Sequence, residues 1–265
     1  MKKLHFLTGL PRAGSTLLGD LLAQNPDFYA SPSSGVRDMT NLIKNNWNGN
    51  EHFQASFDIE GVNAMIKGVA HNYYSTRKEP VIFDKNRGWT SELPLATLLS
   101  NDIPKMLVCV RDLTDILASF EKMYRSNNHN FMISLEKGSQ EKYETLEGRC
   151  EVWAATIIGK PFQALLESKK MGYMKHYHIV EFDNLTSNPE DTLKGVYEYL
   201  GKKWDAKLHQ YDNVEMTTHE NEIVRGFPQS LHEIRPKVEH FKSGAMQILG
   251  KELFDKYSNQ EFWRS

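Results

Sequence analysis

The 265-residue sequence predicts an α/β fold in three layers, a mainly parallel central sheet with helices on both faces. Apolar runs of strand length alternate along it with stretches of helical period, the order that builds a parallel sheet. Hydrophobic residues make up 40% and charged residues 25%, the balance of a globular chain able to bury a full core. No repeat, low-complexity linker or shift in composition divides it, so residues 1–265 are expected to form a single domain.

Leu4, Phe6 and Leu7 open the first strand, which runs into a turn holding Gly9, Pro11 and Gly14. Ser15 and Thr16 start a helix whose apolar face is Leu17, Leu18, Leu21 and Leu22. A short strand is expected near Phe28–Ala30, and Ser31–Gly35 reads as a loop at the functional edge of the sheet. Val62, Met65, Ile66, Val69 and Tyr73 recur at helical spacing. Pro80–Asp84 is a strand, Leu93–Leu99 a helical stripe and Lys105–Val110 a central strand. Leu113, Ile116, Leu117 and Phe120 line the next helix. Leu146, Cys150, Trp153, Ile157 and Ile158 line another, which Pro161 is expected to end or kink. Tyr177–Phe182 is the last strand. Ser187-Asn188-Pro189-Glu190 then predicts a capping box with proline in the first turn, and Gly201 stops that helix.

The first unit carries chemistry as well as structure. A strand, a glycine turn and a helix N-terminus in that order form an anion site, because free N–H groups and the positive dipole end converge there. The spacing from Gly9 to Gly14 matches the Walker A frame, but Ser15 stands where the lysine should be, and Arg12 is the only cation in the turn. Such a loop argues against ATP hydrolysis and for another phosphate-bearing ligand; an ordinary strand-to-helix turn is the plain alternative. A second signal lies in Lys105–Ser119, KMLVCVRDLTDILAS. Arg111 ends a strand at the carboxyl edge, where open α/β sheets bind ligands, and its fork suits phosphate oxygens. Ser119 lies two turns into the following helix and can donate toward the same oxygens, while Asp112 alone would serve as a cap.

Pro11-Arg12-Ala13-Gly14-Ser15-Thr16 resembles the first phosphosulfate-binding motif of sulfotransferases that use 3′-phosphoadenosine-5′-phosphosulfate (PAPS). Arg111 and Ser119 resemble that family's 3′-phosphate motif, and Tyr177–Gly201 its later strand-plus-helix segment. The resemblance implies a fold like that of the P-loop nucleoside-triphosphate hydrolases. It implies PAPS as cosubstrate, 3′-phosphoadenosine-5′-phosphate as product, and no metal. Arg12, Ala13, Gly14, Ser15, Thr16 and Leu17 would hold the phosphosulfate, with Arg12 also helping catalysis. Arg111 and Ser119 would hold the 3′-phosphate, and Phe182 would face the adenine or else serve as core. Lys85, just past a strand end in VIFDKNRGW, matches a lysine that stabilises charge on the departing phosphate; the alternative is a solvated loop lysine.

The general base departs from the family pattern. Asn86 and Arg87 follow Lys85 where small-molecule sulfotransferases place a histidine, and Ser31–Gly35 lacks the glutamate of the tyrosylprotein type. Asp38 is the favoured base, with His219 and Glu220 as competitors; Asp38 could instead pair with Arg37 or cap a helix. Arg225 and Arg235 are candidates for a basic C-terminal loop over the cofactor. Tyr124, Arg125, His129 and Phe131 are candidates for an acceptor pocket. The acceptor itself, and a homodimer, stay open.

Other classes fit less well. A net charge of −2 gives no reason to expect a nucleic-acid partner. No apolar run reaches the roughly 18 residues of a membrane span, and the short apolar stretch after Lys2 and Lys3 reads as a strand, not a signal peptide. Cys109 and Cys150 read as reduced core thiols of a cytoplasmic protein, and the 10 histidines never combine with Cys or Asp at metal-binding spacing. Two rivals remain. One is a P-loop kinase of small metabolites in which Asp84 holds magnesium. The other is a module that binds adenosine bisphosphate without catalysis.

Overall fold

In a computed structural model describing residues 2–46, 49–100, 102–126, 140–215 and 236–264, five strands share one sheet. They are β1 (Lys3–Gly9), β2 (Phe28–Ala30), β3 (Val81–Lys85), β4 (Met106–Val110) and β5 (Tyr177–Glu181). Their order is β2-β3-β1-β4-β5, and every adjacent pair is parallel. All five residues of β3 and of β4 are buried. A strand buried on both faces needs helices on both sides, which is why VIFDK and MLVCV read as unbroken rather than alternating segments.

The helices are α1 (Ser15–Ala23), α2 (Val36–Asn46), α3 (Glu51–Ala55), α4 (Ile59–Tyr73), α5 (Leu93–Ser100), α6 (Leu113–Ser126), α7 (Leu146–Ala155), α8 (Gly159–Lys170), α9 (Phe182–Ser187), α10 (Pro189–Leu200) and α11 (Ala245–Tyr257). α2 packs on α4, and α6 on both α7 and α11. The chain leaves β1 toward β3 and β2 on one side, and later builds β4 and β5 on the other. The carboxyl ends of β1 and β4 therefore flank the point where strand order reverses, the usual ligand crevice of such sheets.

Three boundaries differ from expectation. The apolar stripe through Ile157 and Ile158 is not one helix, because α7 stops at Ala155 and Thr156 leaves helical geometry (φ −121, ψ −93). Pro161 neither ends nor kinks it; it lies in the first turn of α8, where its missing N–H costs nothing. β5 stops at Glu181, and Phe182 opens α9 instead of extending the strand. Pro189 does start α10, but the capping box does not form: no side chain caps that helix, and Ser187 Oγ donates back to the Asp183 carbonyl (2.6 Å). Gly201 closes α10 in the left-handed conformation (φ 66), as its type requires.

Candidate active site

The phosphate loop begins with a close approach that only glycine permits. Gly9 has φ 132, and a Cβ there would lie 2.0 Å from the Cys109 carbonyl oxygen. The Leu10 amide then donates to that same carbonyl (2.9 Å), turning the chain off β1 beside β4. Arg12 (φ 58) and Gly14 (φ 83) are both left-handed, and no side chain caps α1. Its first-turn amides are thus left without intrahelical partners at the end of a strand. A Cβ on Gly14 would lie 2.8 Å from Phe182, so the ring of α9 closes directly on the loop.

Lys85 is the last residue of β3 and is only 8% exposed. Its amide donates to Ser31 Oγ (2.8 Å), and its carbonyl accepts from the Ser34 amide (2.8 Å). Asn86 ties the same corner down, its amide donating to the Leu7 carbonyl (3.1 Å) and its Nδ2 to the Ser34 carbonyl (2.9 Å). The side chain is thereby aimed at α1, where Nζ donates to Thr16 Oγ1 (3.0 Å). The solvated-loop alternative for Lys85 is set aside by this burial.

Arg111 lies just past β4, its side chain 11% exposed. The guanidinium stacks 4.1 Å over the Phe182 ring, and Nη1 donates to the Arg12 carbonyl (3.3 Å). Nε stands 3.7 Å from Asp115 Oδ2, beyond hydrogen-bond reach. Burial pulls this arginine below its ordinary value, while Asp115, Asp183 and Asp112 push the other way. Arg12 Nε donates to Ser119 Oγ (3.3 Å), so the loop after β1 and the helix after β4 meet. Arg12, Ser119, Arg111 and Phe182 thus form one contact group and Lys85 with Thr16 another, and the loop from Arg12 to Thr16 carries both. Buried arginine with spare donors, left-handed glycine and first-turn amides together make a fit for a phosphorylated nucleotide.

Asp38 lies elsewhere in the first turn of α2, 63% exposed, with its carboxylate 3.2 Å from Arg37 Nη1. Arg37 also pairs with Glu92 and covers Gly88. Tyr124 and Arg125 have packing partners: the Tyr124 hydroxyl donates to the Tyr143 carbonyl (3.3 Å), and Arg125 Nε to Glu121 (2.7 Å). His129, Phe131, His219, Glu220, Arg225 and Arg235 lie outside the described residues. Asp84, the magnesium ligand of the kinase reading, is fully buried with both oxygens engaged. The Tyr74 hydroxyl donates to Oδ2 (2.6 Å) and Trp89 Nε1 to Oδ1 (2.7 Å). Burial pushes this carboxyl up, against hydrogen bonds from Ser34, Tyr74 and Trp89.

Residues 5–206 match the family described as the sulfotransferase family. The chain belongs to the sulfotransferase family. Among solved structures, it is similar to a sulfotransferase domain from the curacin biosynthetic pathway, at 14% identity and a TM-score of 0.52, covering 100% of this chain and 87% of that one. The sulfotransferase domain of the Synechococcus PCC 7002 olefin synthase gives 17% identity and a TM-score of 0.51, with 96% and 94% covered. A sulfotransferase from Alicyclobacillus acidocaldarius gives 13% and 0.50, with 78% and 88% covered. These likenesses show the parallel α/β fold. No protein of curated function matches the chain by sequence. Among the described residues, no helix is long and apolar enough to cross a membrane.

Further side chains pack at this edge of the sulfotransferase. Asp115 Oδ1 accepts from Ser243 Oγ (2.5 Å), which joins α6 to the start of α11. The turn-spaced Arg111 and Asp115 were a readable signal; Ser243, 128 residues further on, was not. Arg264 Nη2 bridges Glu181 Oε2 (2.5 Å) and Asp112 Oδ1 (3.1 Å), joining the ends of β5 and β4 beside Phe182 and Arg111.

Proposed function

We propose that this sulfotransferase uses PAPS and passes the sulfuryl group in line to a hydroxyl or amine acceptor. The contact of Arg12 with Ser119 and Arg111 carries this reading. A phosphate loop and a strand-end arginine, 99 residues apart, share one sheet edge. A nucleotide phosphorylated at both its 5′ and 3′ positions calls for two adjacent anion sites. The kinase reading has no comparable support, since the Asp84 oxygens are taken by Tyr74 and Trp89.

Bound there, PAPS supplies an activated sulfuryl group: a sulfur–oxygen bond forms to the acceptor as the bond from sulfur to the bridging phosphate oxygen breaks. Arg12, Ala13, Gly14, Ser15, Thr16 and Leu17 hold the phosphosulfate with amides, hydroxyls and a guanidinium. Lys85, fixed by Thr16, stabilises the charge that develops on the bridging oxygen. Arg111 and Ser119 hold the 3′-phosphate, Phe182 is assigned to the adenine, and Arg225 to completing the cofactor site. Asp38 takes the acceptor proton, from the helix that follows the Lys85-bonded loop. The roles need no metal. Two buried free thiols, Cys109 and Cys150, support a cytoplasmic setting.

The test is thermal shift with 3′-phosphoadenosine-5′-phosphate, followed by transfer from PAPS to a panel of alcohols, phenols and amines with chelator present. Stabilisation should rise with the logarithm of nucleotide concentration, and turnover should ignore the chelator. Metal-dependent ATP turnover would overturn this reading in favour of the kinase. Nucleotide binding without transfer to any acceptor would reduce the protein to a binding module.

A further inference from the structure

Asp84 sits one residue before Lys85 in β3, so its side chain leaves the strand on the opposite face. It is fully buried, and the groups that meet its carboxylate come from three separate segments. Tyr74, at the end of α4, donates to Oδ2 (2.6 Å), and Trp89, in the turn after β3, donates to Oδ1 (2.7 Å). The hydroxyl of buried Ser34, from the loop after β2, also donates toward it. A buried carboxylate is costly unless its lone pairs are used, and an apolar side chain could fill the same space. Packing alone therefore does not account for an acid at this position.

Ser34 connects that acid to the site. Its amide donates to the Lys85 carbonyl (2.8 Å), and its Oγ accepts from the amide of Val36, the first residue of α2 (3.0 Å). A hydroxyl that accepts from a helix amide still has its own proton to donate, and the Asp84 carboxylate receives it. The bonds thus run in sequence. Asp84 orients the Ser34 hydroxyl, the hydroxyl fixes the first amide of α2, and the first turn of α2 carries Asp38. Thr40 braces the same turn, its hydroxyl donating to the Val36 carbonyl (2.6 Å). Asp38 is exposed and paired with its neighbour Arg37, so where it stands relative to Lys85 depends on where α2 starts.

We propose that Asp84 and Ser34 are positioning residues for the acceptor side of the reaction: Asp84 orients Ser34, and Ser34 fixes the start of α2 so that Asp38 stands in register with Lys85. This rests on the roles proposed above for Lys85 and Asp38 and deepens them. The pair leaves nucleotide binding alone, because the groups assigned to the nucleotide come from the loop after β1 and the ends of β4 and β5.

Kinetics and calorimetry on the full chain test this, with the fastest acceptor of the alcohol, phenol and amine panel. Ser34→Ala removes the hydroxyl and keeps the amide that holds Lys85. It should lower kcat about tenfold or more, while KM for PAPS and affinity for adenosine 3′,5′-bisphosphate stay within about twofold of wild type. Asp84→Asn, which keeps the volume but offers one acceptor oxygen where the carboxylate offered two, should repeat that pattern. Hydrogen exchange at the Val36 amide should quicken about tenfold in both variants, a readout that needs no acceptor. The decisive arm is the double variant: once Asp38→Asn has removed the positioned group, Ser34→Ala should cost less than about twofold more. A full tenfold loss in that background would overturn the proposal, as would weakened bisphosphate binding or wild-type kcat in either single variant. Wild-type kcat in Asp38→Asn would overturn the proposal together with the assignment of the base, and would leave the PAPS reading standing.

Discussion

Lys85 is held in place by bonds that other residues make to its backbone. Ser31 and Ser34 hold its amide and carbonyl at the end of β3, and its ammonium donates to Thr16. A cation fixed in this way acts most strongly where charge grows during reaction, so its removal should lower kcat more than it raises KM for PAPS. Lys85→Ala should lose about 10²–10³ in kcat while binding the product nucleotide almost normally. Lys85→Arg should do little better, because a planar fork cannot put its charge where an ammonium sat. Steady-state kinetics at saturating PAPS and acceptor check this; unchanged kcat in Lys85→Ala would leave the residue a structural tie between β3 and α1. A second expectation concerns Phe182, pressed between Gly14 and Arg111. Phe182→Ala removes the surface on which the guanidinium rests and should weaken bisphosphate binding by about 1 kcal/mol or more, read by calorimetry. Arg111 and Ser119 were legible in the sequence because a strand end and a helical spacing fix them locally. The bond from Ser243 to Asp115 was not, because it joins residues 128 apart that no local period relates.

At the scale of elements, α6 and α7 are locked by one buried ion pair. Glu121 is 0% exposed and receives Arg149 Nε and Nη2, each at 2.8 Å, while Nη1 donates to the Tyr143 carbonyl (2.8 Å). The guanidinium also lies 4.2 Å over the Tyr124 ring. Without Arg149 the buried Glu121 carboxylate keeps only the exposed Arg125 as a partner charge, so Arg149→Met should cost about 3 kcal/mol in urea denaturation. Glu121→Leu combined with Arg149→Met should recover much of that loss, since an apolar pair of like volume needs no partner charge. The strands were legible where their runs were short and wholly apolar, as in VIFDK and MLVCV. The division between α7 and α8 was hidden because Ile157 and Ile158 continue the apolar stripe past the point where the backbone breaks. Phe182 is ambiguous for a similar reason: an aromatic suits either state, and no capping side chain marks Glu181 as the end of the strand. The base was least legible, because a proton acceptor is defined by what tertiary structure brings near the acceptor, not by spacing along the chain.

For the molecule as a whole, buried His209 and half-buried His5 and His178 weaken the fold as pH falls. Burial, helped by Lys3, Lys105 and Lys202, lowers His5 to about 4, and its Nδ1 accepts from the Lys105 amide (3.4 Å), which protonation would prevent. Burial also lowers His178 and His209. A histidine with a depressed folded value binds fewer protons when folded, so its contribution is fully present above about pH 6.5 and is lost as pH falls toward 4. For His5 alone, the loss amounts to at most about 3 kcal/mol. Denaturation midpoints between pH 8 and 4 should fall most steeply below 6.5, and His5→Asn should flatten part of that slope. A midpoint independent of pH across the range would refute the assignment. The Tyr197 hydroxyl ties α10 to Asn25 in the turn after α1 (2.9 Å) and to His209 in the segment after α10 (2.8 Å).

The two cysteines give the protein a built-in clock. Cys109 lies against Gly9 and Cys150 within α7, both fully buried, and burial pushes both thiols up to about 12. At neutral pH in the native state neither is accessible nor ionised, so a thiol-directed dye finds nothing to attack. The slow appearance of two labelled sulfurs over hours then counts openings of the core itself, one thiol from the central sheet and one from the α7 packing. A single cysteine placed at exposed Gln260 would take up dye at once, near the Arg264 bridge, with no need to delete the native pair.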